Sequence, residues 1–267
     1  MNIFQAIILG IIEGVTEFLP ISSTAHLIIT AEWLKLPESS SFKSFLIAIQ
    51  LGAILSVAVL YAKMLIKKPK IILKIATAFI PTALIGLLVY QLVKNIFMES
   101  IWLIATMLIL GGLALIILEK YFHRKQQLKN SISDDNQENQ KLEKISYRQA
   151  VLIGIFQTLA VIPGVSRSAA TIMGGLSLGL SRKNIVEFSF LLALPTMAAA
   201  TFLDLYKEPP NLQGPELNAW IIGLIVAFIT AVLSIKFLLH FIQKNNFTSF
   251  GWYRIVIGLI IIITLII

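Results

Sequence analysis

Glu13 and Glu17 stand four residues apart inside an otherwise apolar run. On a helix that spacing puts both on one face. Two carboxylates about 6 Å apart, at an effective dielectric near 20, repel by roughly 3 kcal/mol. Ionised glutamate in so apolar a setting is costly in its own right. Such a pair persists where a cation sits between the carboxylates, or where one of them holds a proton. Just downstream, after Pro20, come Ser22, Ser23, Thr24 and His26. Serine or threonine can cap a helix restarting after the proline. Three hydroxyls and a histidine exceed what one cap needs. Ser23 and His26 are spaced to share a helix face, and a serine beside a base is a candidate nucleophile.

A second cluster follows Pro163-Gly164: Ser166, Arg167, Ser168 and Thr171. Glycine lets backbone approach a ligand closely. A helix beginning after it aims several free amides at one spot, which suits an anion. Arg167 adds a permanent charge on a planar fork shaped for phosphate. Pairing of Arg167 with Glu13 or Glu17 is the simpler role, and it is compatible with ligand binding.

The elements that hold these residues are membrane helices. Of 267 residues, 57% are hydrophobic and 13% charged, against about 25% charged in soluble domains. Mean hydropathy is +0.84. These values exclude a soluble globular enzyme and a disordered chain. The absence of cysteine excludes disulfides, Cys-zinc sites and thiol catalysis. The histidines, His26, His123 and His240, lack metal-ligand spacing. The first basic residue is Lys35, so the amino terminus lacks the basic start of a signal peptide.

Apolar segments long enough to span occur at about 44–62, 75–93, 101–119, 186–203, 219–240 and 250–267. Two further apolar stretches, 3–36 and 148–181, are cut by proline and polar residues. Proline removes a backbone donor and clashes with the preceding turn. Each arm is then about 15 residues, short of the roughly 20 that a crossing needs. Re-entrant helix–loop–helix hairpins fit, with the irregular backbone inside protein or beside a wet cavity.

An internal repeat organises the chain. Shifted by 144, Gln5, Ala6, Gly10, Ser22 and Ala25 fall on Gln149, Ala150, Gly154, Ser166 and Ala169. Shifted by 145, Ser44-Phe45-Leu46 falls on Ser189-Phe190-Leu191 and Tyr61 on Tyr206. The expected fold is an all-α integral membrane protein with an inverted-topology repeat. Each copy has one re-entrant hairpin plus three transmembrane helices: 1–122 and 148–267, joined by a polar cytoplasmic linker at 123–147. Three spans are odd, so the second copy enters upside down, and the site is expected where the broken helices meet near the midplane.

Charge placement gives the orientation. With both termini outside, only Lys35, Lys43, Lys94 and Lys207 lie outside, and Arg167 and Arg254 within the membrane segments. Every other lysine and arginine falls on the cytoplasmic side, as the positive-inside rule requires. The net charge of +8 is therefore loop charge, and no nucleic-acid partner is implied. Trp252 and Tyr253 beside Arg254 read as an interfacial anchor. The linker, with Asp134, Asp135, Asn136 and Gln137, is too polar to shape a pocket.

The repeat is chemically asymmetric. Glu13 and Glu17 correspond to Gln157 and Val161, and Arg167 corresponds to Ser23. One hairpin is acidic and the other basic; facing each other they suit a cation plus a phosphate.

At these residues the chain resembles the bacterial undecaprenyl-diphosphate phosphatase family of the bacitracin-resistance type. The first motif runs Glu13-Gly14-Val15-Thr16-Glu17-Phe18-Leu19-Pro20-Ile21-Ser22-Ser23-Thr24-Ala25-His26-Leu27. The second runs Pro163-Gly164-Val165-Ser166-Arg167-Ser168-Ala169-Ala170-Thr171. The family usually has glycine where this chain has Ala25 and Ala169. The resemblance implies an enzyme of the bacterial cytoplasmic membrane that removes the terminal phosphate of undecaprenyl diphosphate. Its product is the lipid carrier of cell-wall synthesis, and extra enzyme confers bacitracin resistance. The resemblance also implies a divalent cation, Mg²⁺ or Ca²⁺, and a site opening to the outer face.

Carried onto this chain, Glu13, Glu17, Ser23, His26 and Arg167 are the catalytic candidates. Glu13 and Glu17 would hold the cation. Ser22, Thr24, Ser166, Arg167, Ser168 and Thr171 would bind phosphate. Attack by Ser23, helped by His26 or a glutamate, competes with attack by metal-bound water. Inverted repeats with broken helices also build transporters, in which the acids would be cation sites and Arg167 the anion site. The Ser-Ser-Thr-x-His cluster favours the enzyme, since a carrier needs no nucleophile beside a base. An inert scaffold leaves the intramembrane charges unexplained. The sequence sets no oligomeric state.

Overall fold

The computed structural model describes residues 1–36, 39–92, 100–130, 142–207, 209 and 215–266. Among the described residues all regular structure is helical. Helices α1 (Ile3–Thr16) and α2 (Ser23–Trp33) form one broken pair, followed by α3 (Ser40–Lys67), α4 (Pro69–Leu92) and α5 (Ile101–Asn130). Helices α6 (Tyr147–Thr158) and α7 (Arg167–Ser177) form a second broken pair, followed by α8 (Arg182–Lys207), α9 (Pro215–Lys244) and α10 (Thr248–Ile266).

Helices α3, α4, α5, α8, α9 and α10 are each long and apolar enough to cross a bilayer. Their outer faces carry exposed large apolar residues, among them Val59, Leu88, Ile117, Ile225, Phe237 and Ile263. A soluble monomer rarely exposes so much apolar surface, whereas lipid accepts it. The chain is a multi-pass membrane protein. The spans run longer than the expected segments, because polar and basic flanks such as Lys63, Lys67 and Lys244 continue the helices. Pro81 and Pro195 sit inside α4 and α8 without ending them.

The four hairpin arms contain 14, 11, 12 and 11 residues. At 1.5 Å per residue they are roughly 17–21 Å long, short of a hydrocarbon core of about 30 Å. Both first arms start from a capping box. Asn2 and Gln5 exchange side-chain and backbone bonds at 2.9 and 3.0 Å, and Ser146 and Gln149 do the same at 3.2 and 2.9 Å. Each reciprocal pair satisfies two amide donors that a helix start leaves open. Both second arms start from a serine in the left-handed region, Ser22 and Ser166, each at φ 73°. That conformation costs about 1–3 kcal/mol per residue and persists where the surroundings over-determine it.

Helix α1 packs chiefly on α9, and α6 on α4; α3 also meets α9, and α8 meets α4. Helix α3 meets α8, and α5 lies along α10. The main core gathers Phe18 from the first break with Ala53, Ile153, Ala169, Phe188 and Phe190. Phe18 and Phe190 meet edge-on at 5.2 Å.

At one end of the bundle, Lys68 Nζ lies 2.8 Å from Glu143 Oε1, and Lys74 Nζ donates to the Glu143 carbonyl at 2.5 Å. The buried Glu119 pairs with Arg182 at the start of α8. The expected linker is partly structured: α5 runs on to Asn130, and a 3₁₀ turn at Leu142–Lys144 precedes α6. Asp134, Asp135, Asn136 and Gln137 lie outside the described residues.

Candidate active site

The two helix breaks face each other across a cavity of about 180 Å³. Glu17, Ser22, Ser23 and Thr24 reach it from the first hairpin, and Gly164, Ser166 and Arg167 from the second. Gln50 of α3, Thr82 of α4 and Thr196 of α8 line its sides. All three sit near the middle of their helices, which places the cavity at the middle of the bundle's thickness.

Arg167 begins α7 and points back across the cavity. One of its terminal nitrogens lies 3.2 Å from Glu17 Oε1. The other donates to Ser189 at 2.8 Å to the carbonyl and 3.3 Å to the hydroxyl. The Nε donor has no partner. Glu17 therefore has one oxygen turned to Arg167, and its other oxygen accepts from Ser23 Oγ at 2.5 Å. Carboxylate, guanidinium and hydroxyl form one continuous chain between the hairpins. Removing either partner of so buried a pair strands a charge, at about 3–5 kcal/mol.

Glu13 lies one turn behind Glu17 and is fully buried. Neither of its oxygens receives a bond from a protein donor. Among the described residues no group of three or more His, Asp or Glu stands ready for a metal. A hard cation takes oxygen ligands, and Mg²⁺ commonly uses one or two carboxylates with substrate phosphates completing the set. The Glu13–Glu17 pair, with an unpartnered carboxylate, fits that requirement.

Gly164 makes the second break possible. It adopts φ +92°, and a Cβ there would fall 2.6 Å from the Ile104 carbonyl. Ser166 then caps α7, its hydroxyl accepting from the Ala169 amide at 3.2 Å. Ser22 occupies the same position before α2 but makes no side-chain capping bond, and its side chain lines the cavity.

Four expected site residues lie outside the cavity lining: Glu13, buried behind Glu17, and Ser168, Thr171 and His26. Ser168 donates to the Phe18 carbonyl at 2.9 Å, tying one hairpin to the other. Thr171 bonds the Ser189 hydroxyl at 2.6 Å and so braces the residue that holds Arg167. His26 turns away from Ser23: its Nδ1 donates to the Ser22 carbonyl at 2.7 Å. With Nδ1 protonated, the neutral ring's Nε2 accepts from the Tyr253 hydroxyl at 2.8 Å. The acceptor beside Ser23 is thus Glu17, one of the two kinds of group expected there, while His26 bonds elsewhere.

Sequence reasoning missed several residues. Gln157 is 1% exposed and lines the cavity. Its amide nitrogen donates to Thr82 at 2.8 Å and Thr196 at 3.1 Å. Its place as the repeat counterpart of Glu13 was the available signal. Ser189 carried no signal, being one hydroxyl in a span. The expected anchor residues Trp252 and Tyr253 are both exposed. Tyr253 also bonds His26, while the neighbouring Arg254 is completely buried. Its five carbonyl partners explain why an arginine stays at depth.

The model of the bacitracin resistance protein BacA family matches residues 6–260. The chain belongs to the BacA family. A protein of Wolinella succinogenes named undecaprenyl-diphosphatase is 49% identical to this BacA-family chain, over 97% of the chain and 97% of its own length. A Campylobacter jejuni protein of the same name is 49% identical, over 97% and 93%. One from Aquifex aeolicus is 46% identical, over 97% of each. The matched residues include both motifs, 13–27 and 163–171.

Proposed function

We infer that this chain is an integral membrane phosphatase. It hydrolyses undecaprenyl diphosphate to undecaprenyl phosphate and inorganic phosphate, recycles the lipid carrier of cell-wall synthesis, and confers bacitracin resistance. Full-length similarity to undecaprenyl-diphosphatases supports the substrate. The observation that carries the chemistry is the Ser23 hydroxyl at 2.5 Å from a Glu17 carboxylate held by Arg167.

The cavity suits the diphosphate head, while the C55 tail lies against apolar helices. Arg167 and the amides that open α7 would hold the phosphates; its unpartnered Nε is a donor ready for one of their oxygens. Ser22, Thr24 and Ser166 would add contacts from the lining, and Ser168 and Thr171 would hold the hairpin and Ser189 in place. Stabilising charge on the phosphoryl oxygens is most of the task, and an arginine there can contribute about 10³–10⁵ in rate. Glu13 and Glu17 would hold Mg²⁺ or Ca²⁺, which offsets the charge between carboxylates and diphosphate.

Glu17 takes the Ser23 proton as Ser23 Oγ attacks the terminal phosphorus. The anhydride P–O bond breaks and undecaprenyl phosphate leaves, its former bridging oxygen taking that proton from Glu17, which is a carboxylate again. Water then attacks the phosphoserine and gives up a proton to Glu17; the P–Oγ bond breaks, Ser23 Oγ takes that proton from Glu17, and free phosphate departs. His26, fixed by Tyr253, holds the Ser22 carbonyl and so the turn that presents Ser23. In the rival mechanism a water attacks directly and Ser23 only positions it.

The inverted repeat is supported by reciprocal packing of α1 on α9 and α6 on α4, by the paired capping boxes, and by the paired serines at φ 73°. The units 1–122 and 148–267 follow from it. Charge placement supports termini outside, and the cell-wall role of the product supports an outward-opening site.

Acid quench with substrate labelled in the terminal phosphate tests the mechanism. Label retained on wild-type protein and absent from Ser23→Ala supports Ser23 as nucleophile. No labelled protein, with Ser23→Ala still turning over, selects the water mechanism. Anion flux in liposomes without phosphate release would select a transporter.

A further inference from the structure

The second intramembrane arginine lies outside the cavity lining, yet it is the most completely bonded side chain at the site. Arg254 of α10 is 0% exposed. A guanidinium has five N–H donors in a planar fork, and here the bonds number five. Nε donates to the Leu108 carbonyl at 3.3 Å. One terminal nitrogen donates to Pro20 at 3.3 Å and Val165 at 2.9 Å. The other donates to Met107 at 3.1 Å and Gly164 at 2.9 Å. Three of these carbonyls belong to the helix breaks and two to α5.

The positions of those carbonyls matter. Pro20 precedes the turn that presents Ser22 and Ser23. Gly164 and Val165 immediately precede Ser166 and Arg167. Irregular backbone at membrane depth is tolerated where its polar groups find protein partners. Ser22 and Ser166 both hold the left-handed conformation, which reverts unless the surroundings fix it. Helix α5 leaves room for the fork: a Cβ on Gly111 would stand 2.1 Å from an Arg254 terminal nitrogen.

We propose that Arg254 is a positioning residue for phosphoryl transfer, whose guanidinium locks both hairpin breaks to α5 and thereby fixes the Glu17–Ser23–Arg167 geometry. The inference rests on the phosphatase reading for its kinetic consequence and on the five bonds alone for its structural one. Lysine has three donors and no planar fork, so charge by itself cannot replace it.

The test uses three full-length variants in detergent: Arg254→Met, Arg254→Lys and Gly111→Ala. A misplacement near 1 Å can cost about 100-fold, so Arg254→Met should lower kcat by ~100-fold per folded molecule while KM changes little, because Arg167 and the tail-binding surface remain. Arg254→Lys should recover only part of the loss. Gly111→Ala, which displaces the fork without removing its charge, should lower kcat in the same sense. The chain has no cysteine, so Ile162→Cys gives a unique label site at the second break. Its reaction with a water-soluble maleimide should accelerate in the Arg254→Met background.

Wild-type kcat in Arg254→Met, or a loss that follows only the amount of folded protein with unchanged labelling, overturns the proposal. If the wild type shows no turnover, the phosphatase reading fails, and the labelling rate alone decides the role of Arg254.

Discussion

Glu17 and Arg167, 150 residues apart in sequence, meet at 3.2 Å in the middle of the bundle. Their side chains are 7% and 10% exposed. The pair joins one hairpin to the other, and it sets which Glu17 oxygen remains for Ser23. Replacing Arg167 therefore acts on both activity and stability. Arg167→Ala should lower turnover by about 10³-fold or more and destabilise the fold by ~3–5 kcal/mol. Steady-state phosphate release and thermal unfolding measure the two effects. In Arg167→Ala/Glu17→Gln neither member of the pair leaves a charge stranded, so stability should partly return while activity does not.

Glu13 has no donor on either oxygen, so Glu13→Gln breaks no protein hydrogen bond. Its effect should appear in cation dependence. The Mg²⁺ or Ca²⁺ concentration for half-maximal rate should rise at least tenfold, with the unfolding temperature equal to or above that of the wild type. Chelation should abolish wild-type turnover and its return should follow added cation. An unchanged cation profile in Glu13→Gln would remove Glu13 as a ligand.

Tyr253→Phe deletes the donor to His26 Nε2. Losing a hydrogen bond of this kind costs about 0.5–1.5 kcal/mol, so turnover should fall up to roughly tenfold. If Tyr253 acts through His26, the double variant Tyr253→Phe/His26→Ala should be no slower than His26→Ala, a non-additivity expected of partners in contact. Independent, additive losses would place Tyr253 in some other role.

Gln157→Leu removes the amide that joins Thr82 on α4 to Thr196 on α8. Both hydroxyls also donate elsewhere, to the Gly154 and Leu192 carbonyls. Only the amide contacts are lost, at about 1–3 kcal/mol. Thermal unfolding should register that loss, and the widened cavity should raise KM.

The broken helices were legible in sequence because proline and glycine act on the backbone locally. Pro20 and Pro163-Gly164 mark the breaks whatever packs around them. The acids and Arg167 stood out because ionisable groups are conspicuous in apolar runs. Partner choice was less legible. Ser23 and His26 share helical spacing, yet Ser22 in the left-handed region turns His26 toward Tyr253 and leaves Glu17 to Ser23. Arg254 stands beside an exposed aromatic pair, Trp252 and Tyr253, which draws the eye from its own burial. Its burial depends on Gly111 and on two loops at least 89 residues away, contacts that no local pattern reports. Ser189, Thr82 and Thr196 are ordinary hydroxyls of spanning helices until tertiary packing brings them to the cavity.

The most direct measurement is phosphate release from undecaprenyl diphosphate by purified protein, with Mg²⁺ and Ca²⁺ titrated and Arg167→Ala and Glu17→Gln run in parallel. The account predicts cation-dependent release by the wild type and its loss in both variants, each folded by thermal melt. Release that survives both substitutions would contradict a site between the two hairpins.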